Sequence, residues 1–141
     1  GGQVLPFVRP VALKNQSIDV MRAFDAGAFI GPTFPKTRKG DVAHFRAADE
    51  HVARGAEGAR VAAIVFPDFQ AGSKVSKFPV PKAAAFLKLA GNSFNYEVVG
   101  EHGFRALSSI VSHCDSYALR YGELGSEPAV LDEIIASAAM A

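Results

Sequence analysis

The sequence predicts an α/β fold, a mixed sheet with flanking helices, on three observations. "RVAAIVFP" holds six consecutive apolar residues, Val61 to Phe66, as a strand covered on both faces would. "DSYALRY" alternates Tyr117, Leu119 and Tyr121 with other residues, the period of a pleated strand. Three longer segments repeat apolar residues at spacings of three and four, the period of an amphipathic helix.

Taken in order, "VLPFVRPVAL" reads as extended, because Pro6 and Pro10 push their preceding residues out of the helical region. "NQSIDVMRAF" reads as a short helix with Asn15 or Ser17 as cap and Ile18, Met21 and Phe24 on one face. "AGAFIGPTFP" is broken by Gly27, Gly31, Pro32 and Pro35 and reads as loop with a brief strand. "DVAHF" is a strand, and "AADEHVARG" one or two helical turns ended by Gly55. Pro67 is expected to end the strand that begins near Val61, and "SKVSKFPV" alternates as an edge strand does. A helix from about Pro81 places Ala83, Phe86, Leu87, Ala90 and Phe94 on one stripe. A second, from about Glu101, does so with Phe104, Leu107, Val111 and Cys114. The last starts after Ser126, has Pro128 in its first turn, and aligns Val130, Leu131, Ile134, Ile135 and Ala138.

Composition narrows the class. Hydrophobic residues make up 49% of the 141 and charged residues 21%, as in a globular domain. No apolar run approaches the roughly 20 residues a membrane span requires. One cysteine, Cys114, allows no intrachain disulfide and points to a reducing cytoplasm; on its helical stripe it reads as core. "GGQVLPFVRP" has neither a signal-peptide pattern nor an initiator methionine, so the chain is expected to begin at a processing site or within a longer protein. The net charge of +1 hides +6 over residues 1–91 and −5 over residues 92–141. Such a split makes either one basic and one acidic face or neighbouring elements that neutralise each other.

Most catalytic patterns are absent. No lysine follows a glycine, so there is no Gly-Lys-Ser/Thr phosphate loop, and no two glycines have the Gly-x-Gly spacing of a dinucleotide site. His44, His51, His102, His113 and Cys114 lack zinc-ligand spacing. "GNSFN" has Asn95 where a hydrolase elbow needs its second glycine. The Gly-x-x-Gly segments "GAEG", "GEHG" and "GELG" each carry a glutamate that repels a nucleic-acid backbone, so they read as turns, and no nucleic-acid partner is expected.

"KTRKG" remains. Lys36, Arg38 and Lys39 precede Gly40, and His44 follows at a spacing that puts it at the base of the same loop. Such a loop either binds phosphate, with Arg38 as a fork and the lysines as point charges, or is a solvated basic turn. "LKNQS" offers Lys14 and Asn15 ahead of a helix N-terminus, either an anion site or a simple cap.

Five segments in order, "RPVALKNQSIDVMRAF", "KTRKGDVAHFR", "AAIVFPDFQAG", "KAAAFLKLAGNSFNY" and "GFRALSSIVSHCDSYALRYGEL", resemble the HPr-kinase-related family of bacterial kinases, type A, over nearly the whole chain. That family is similar to HPr kinase/phosphorylase, whose core is the P-loop fold shared with phosphoenolpyruvate carboxykinase. The resemblance implies an ATP- and magnesium-dependent kinase in the cytoplasm, acting on a small HPr-like protein or peptide. In the family, the P-loop and the acidic metal-holding residues lie upstream of the segment matched by "LPFVRPVALKN". Residues 1–141 would then be the C-terminal portion of a single kinase-like domain, inactive without an N-terminal nucleotide-binding half. The resemblance carries over Arg38 and Lys39 as catalytic, Lys14 and Asn15 as active-site neighbours, and Asn92 and Asn95 in second line. Lys36 and His44 join as phosphate or acceptor contacts from their place beside the loop. The contrasting expectation is a noncatalytic partner-binding module derived from such a kinase.

Overall fold

The computed structural model describes residues 3–139. Its elements are β1 (Gln3–Val4), β2 (Val11–Lys14), α1 (Gln16–Phe24), β3 (Phe34–Thr37), β4 (Gly40–Phe45), α2 (Asp49–Ala53), β5 (Ala59–Arg60), β6 (Ala63–Phe69), β7 (Ser76–Pro79), α3 (Lys82–Asn92), α4 (Tyr96–Val99), α5 (Glu101–His113), β8 (Asp115–Tyr121) and α6 (Pro128–Ala139). The fold is mixed α/β, with open sheets and flanking helices. The chain divides into two compact units, one of residues Leu5–Ala59 and one of the chain from Arg60 onward with the residues before Leu5. Among the described residues no helix is long and apolar enough to cross a membrane.

In the smaller unit, β4 lies between β2 and β3 in an antiparallel sheet. Val11 pairs with Phe45, Ala12 with His44, Leu13 with Ala43 and Lys14 with Val42. Side chains alternate across a strand, so Leu13 and Ala43 share one face while Lys14, Val42 and His44 share the other. Ala43 is wholly buried, and Ile18 of α1 is buried in the same unit. The apolar pattern of "SIDVMRAF" thus turns Ile18 inward and leaves Val20 and Phe24 largely exposed.

The larger unit is built on β6-β8-β7, with β8 parallel to β6 and antiparallel to β7. Ile64, opposite Ser116, belongs to a core with Ala85 of α3, Val111 of α5 and Cys114. Phe86 adds edge-to-face contacts with Phe104 and Tyr96 at centroid distances of 5.3 and 6.4 Å. Leu119 and its register partner Lys77 point to the opposite face. There α6 lies, tied by a 2.6 Å bond from Lys77 Nζ to Glu133 Oε1. Ile134 of α6 is 2% exposed, a burial that contributes about 1.5–3 kcal/mol.

Three expectations change. The strand expected over Val61 to Phe66 runs from Ala63 on through Pro67 to Phe69 as β6, and β8 holds the centre of the sheet. Gln70 N–H donates to the Tyr121 carbonyl at 2.9 Å, so alternation turns the amides of Asp68, Phe66 and Ile64 toward β8. Position 67 faces the open edge, where a proline forfeits no bond. The buried stripe of α3 is Ala85, Phe86 and Leu89 rather than one containing Leu87, which is 71% exposed. Ala83, Ala84 and Ala85 follow one another in the first turn of α3, so its apolar period fits more than one face, and α5 packs where Ala85 is small. "GEHG" is no turn: Gly100 is the N-cap of α5 and Gly103 lies within that helix.

Candidate functional site

The two cationic segments singled out in the sequence meet in the smaller unit. β2 ends at Lys14, and Asn15 enters α1 with φ 50° and ψ −127°. That conformation is sparsely populated for any residue with a Cβ and costs on the order of 1–3 kcal/mol. Two bonds to Asp41 hold it. Asn15 N–H donates to the Asp41 carbonyl at 2.9 Å, and Asn15 Oδ1 accepts from Asp41 N–H at 3.0 Å. Asn15 thus occupies the cap position without capping, because its side chain is spent on β4. Ser17 does not cap either: its hydroxyl accepts from Lys14 N–H and donates to the Lys14 carbonyl, both at 2.7 Å.

"KTRKG" forms a tight hairpin in which Arg38 and Lys39 make the turn and Lys36 lies within β3. Thr37 Oγ1 accepts from Lys39 N–H at 3.1 Å and donates to the Gly40 carbonyl at 2.6 Å. Lys36, at φ 54°, donates its N–H to Asp41 Oδ1 at 2.9 Å. Gly40 has φ +85°, and an ideal Cβ there would lie 2.2 Å from Asn15 Oδ1. The clamp therefore requires glycine for both conformation and space.

This arrangement sets the chemistry available. Lys14, Arg38 and Lys39 are exposed, as is Lys36, and none of the four is in an ion pair among the described residues. The carboxylate of Asp41 turns an oxygen into the hairpin backbone. The N–H groups of Lys36 and Lys39 are bonded within the hairpin, so side chains rather than a backbone nest would hold an anion. His44 sits four residues beyond Gly40, about 13 Å along β4 by strand rise. It is exposed on the face that carries Lys14, so it flanks the Lys14 side of the sheet rather than the turn.

Asn92 and Asn95 belong to the larger unit and have local roles. Asn92 Nδ2 donates to the Lys88 carbonyl at 2.8 Å, and Asn95 takes a left-handed conformation as N-cap of α4. Sequence reasoning missed Asp41 and Thr37. A short polar residue beside a glycine at a strand start is their only signal, and it is a weak one.

The larger unit contains a cleft of about 680 Å³ lined by Arg60, Val61, Lys82, His113, Asp115 and Ile134, among others. Lys82 Nζ donates to the carbonyls of Ser112 and Cys114 at 3.0 and 3.2 Å, a cation closing the C-terminus of α5. Burial pushes the Cys114 thiol above its ordinary 9.0, with Lys82 opposing the shift and Asp115 adding to it. The thiol is a core group, bonded to the Ile110 carbonyl. No group of three or more His, Cys, Asp or Glu side chains able to hold a metal occurs among the described residues.

Comparison of the chain with protein-family models, with curated proteins and with solved structures finds no match.

Proposed function

We propose that the β3–β4 hairpin binds phosphate, and that the chain serves as the C-terminal part of a cytoplasmic phosphotransferase of the HPr-kinase-related type. One observation carries the reading: the Asn15–Asp41 clamp joins the Lys14 segment to a hairpin bearing Lys36, Arg38 and Lys39, four exposed cations that form no ion pair among the described residues. Unpaired cations held together repel one another, and an anion with several oxygens relieves that cost. Under this reading the larger unit's mixed sheet belongs to a P-loop fold like that of phosphoenolpyruvate carboxykinase, and ATP donates the phosphoryl group to a small protein or peptide.

Arg38 offers a planar fork to two phosphate oxygens, while Lys39 supplies a point charge beside it. Both favour a group whose negative charge spreads as it transfers. Lys14 orients a phosphate or the acceptor from the adjoining rung. Asn15 and Gly40 position the turn and touch no substrate. Magnesium, where bound, neutralises phosphate charge; the described residues offer it no carboxylate cluster, so its holders belong to the upstream half that this reading invokes.

The test uses the protein that carries this chain, assayed with Mg-ATP. R38A/K39A is expected to lower the transfer rate by about 10²–10³-fold, as loss of charge stabilisation does elsewhere, with an unchanged circular dichroism spectrum. Unchanged turnover would overturn the assignment.

A further inference from the structure

The open edge of β6 is an unfinished piece of sheet, and we propose that a partner polypeptide completes it by adding an extended strand that is apolar at alternate positions and carries carboxylates. The inference uses only the larger unit and does not rest on the hairpin's reading.

Among the described residues the order β6-β8-β7 leaves β6 with one neighbour. The bond from Gln70 N–H to Tyr121 fixes which backbone groups face outward. They are the N–H groups of Ala63, Val65 and Phe69 and the carbonyls of Ala63, Val65, Pro67 and Phe69. Exposed edges are usually blunted by shortness, charge or proline. β7, the other edge, is blunted in all three ways: four residues, with Lys77 and Pro79. β6 is blunted only at Pro67: it has seven residues, mostly apolar, and its one acid, Asp68, is bound by Arg120 Nε at 3.0 Å.

Charge selects the occupant. Lys88 Nζ lies 5.3 Å from the centroid of Phe66, and Arg60 stands three residues before β6; both are exposed and neither is in an ion pair. A second copy added antiparallel about a two-fold axis near Val65 and Phe66 would bring Lys88 to Lys88, so like charges oppose self-pairing. A strand with carboxylates meets both cations instead. Ala63 both begins β6 and lines the 680 Å³ cleft, whose wall carries Arg60 and Lys82 as well as Asp115, so the charge that selects the added strand is that of Lys88 and Arg60 beside the edge.

The test is amide hydrogen exchange by NMR on the full chain, with two blocked six-residue peptides as probes. One alternates valine with glutamate and threonine; the other has lysine for glutamate. Alone, the chain should protect Ile64, Phe66 and Asp68 and leave Ala63, Val65 and Phe69 unprotected. The glutamate peptide should slow the second set about tenfold or more, the lysine peptide should not, and K88E/R60E should reverse the preference. V65P removes an outward N–H and should abolish the effect, while unchanged exchange in α3 and α5 shows that the fold persists. Equal protection by both peptides, protection by neither, or protection of the outward amides by the chain's own concentration would each overturn the proposal.

Discussion

Replacing Gly40 by alanine tests the clamp that assembles the cationic site. Its added Cβ would lie 2.2 Å from Asn15 Oδ1, so the Asn15 side chain must leave. The loss of the Oδ1 to Asp41 N–H bond costs about 1 kcal/mol. Placing a Cβ at φ +85° costs about 1–2 kcal/mol more, so G40A should destabilise the smaller unit by about 2–3 kcal/mol. Asn15→Ala removes the same bond by another route. In the double variant that bond is lost only once, so N15A/G40A should cost about 1 kcal/mol less than the two single changes added together. The assay is urea unfolding followed by residue-resolved amide exchange. The Asn15 and Asp41 amides should lose protection while those of β8 keep theirs. A strictly additive cycle, or a G40A variant within about 0.5 kcal/mol of the parent, refutes the clamp, since ordinary surface changes fall in that range.

Further outcomes follow from burial and titration. Ile134→Ala should cost about 2–5 kcal/mol by urea melt, whereas Leu87→Ala and Ile135→Ala, on exposed positions, should each cost under about 1 kcal/mol. Equal costs would mean that the helix faces are misassigned. Cys114 has a folded pKa above its ordinary 9.0, so its contribution to stability is full below pH 9 and is lost as pH rises through the folded pKa. The urea midpoint of the parent should therefore fall more between pH 8 and pH 10.5 than that of C114A; parallel profiles would show that the thiol is not desolvated. Inorganic phosphate should shift the amide resonances of Arg38, Lys39 and Lys14 at low salt, and the shifts should shrink as salt screens exposed charge. Shifts confined to the α1 amides would move the site to the helix terminus.

The sequence by itself determined the class and most of the elements. Local rules suffice where a pattern belongs to one segment: Pro81 and Pro128 open helices, "DSYALRY" alternates, and Gly55 stops a short helix. Cys114 was legible as core because its helix carries a clear stripe. The cations of "KTRKG" were visible as charges, though not as a hairpin tip.

What only the tertiary structure decided depends on neighbours distant in the chain. The run Val61 to Phe66 marks a strand, but strand order is a property of pairing, and pairing put β8 at the centre and β6 at an edge. Pro67 is tolerated because its nitrogen faces an open edge, which no local pattern reveals. α3 is apolar on several sides, so its buried face was chosen by α5 through Ala85. Asn15 and Asp41 lie 26 residues apart, and a bond between two small polar groups leaves no periodic trace. That bond joins the two candidate segments into one site. The charges were written in the sequence, and their convergence depends on a positive φ at Asn15 and the missing Cβ of Gly40.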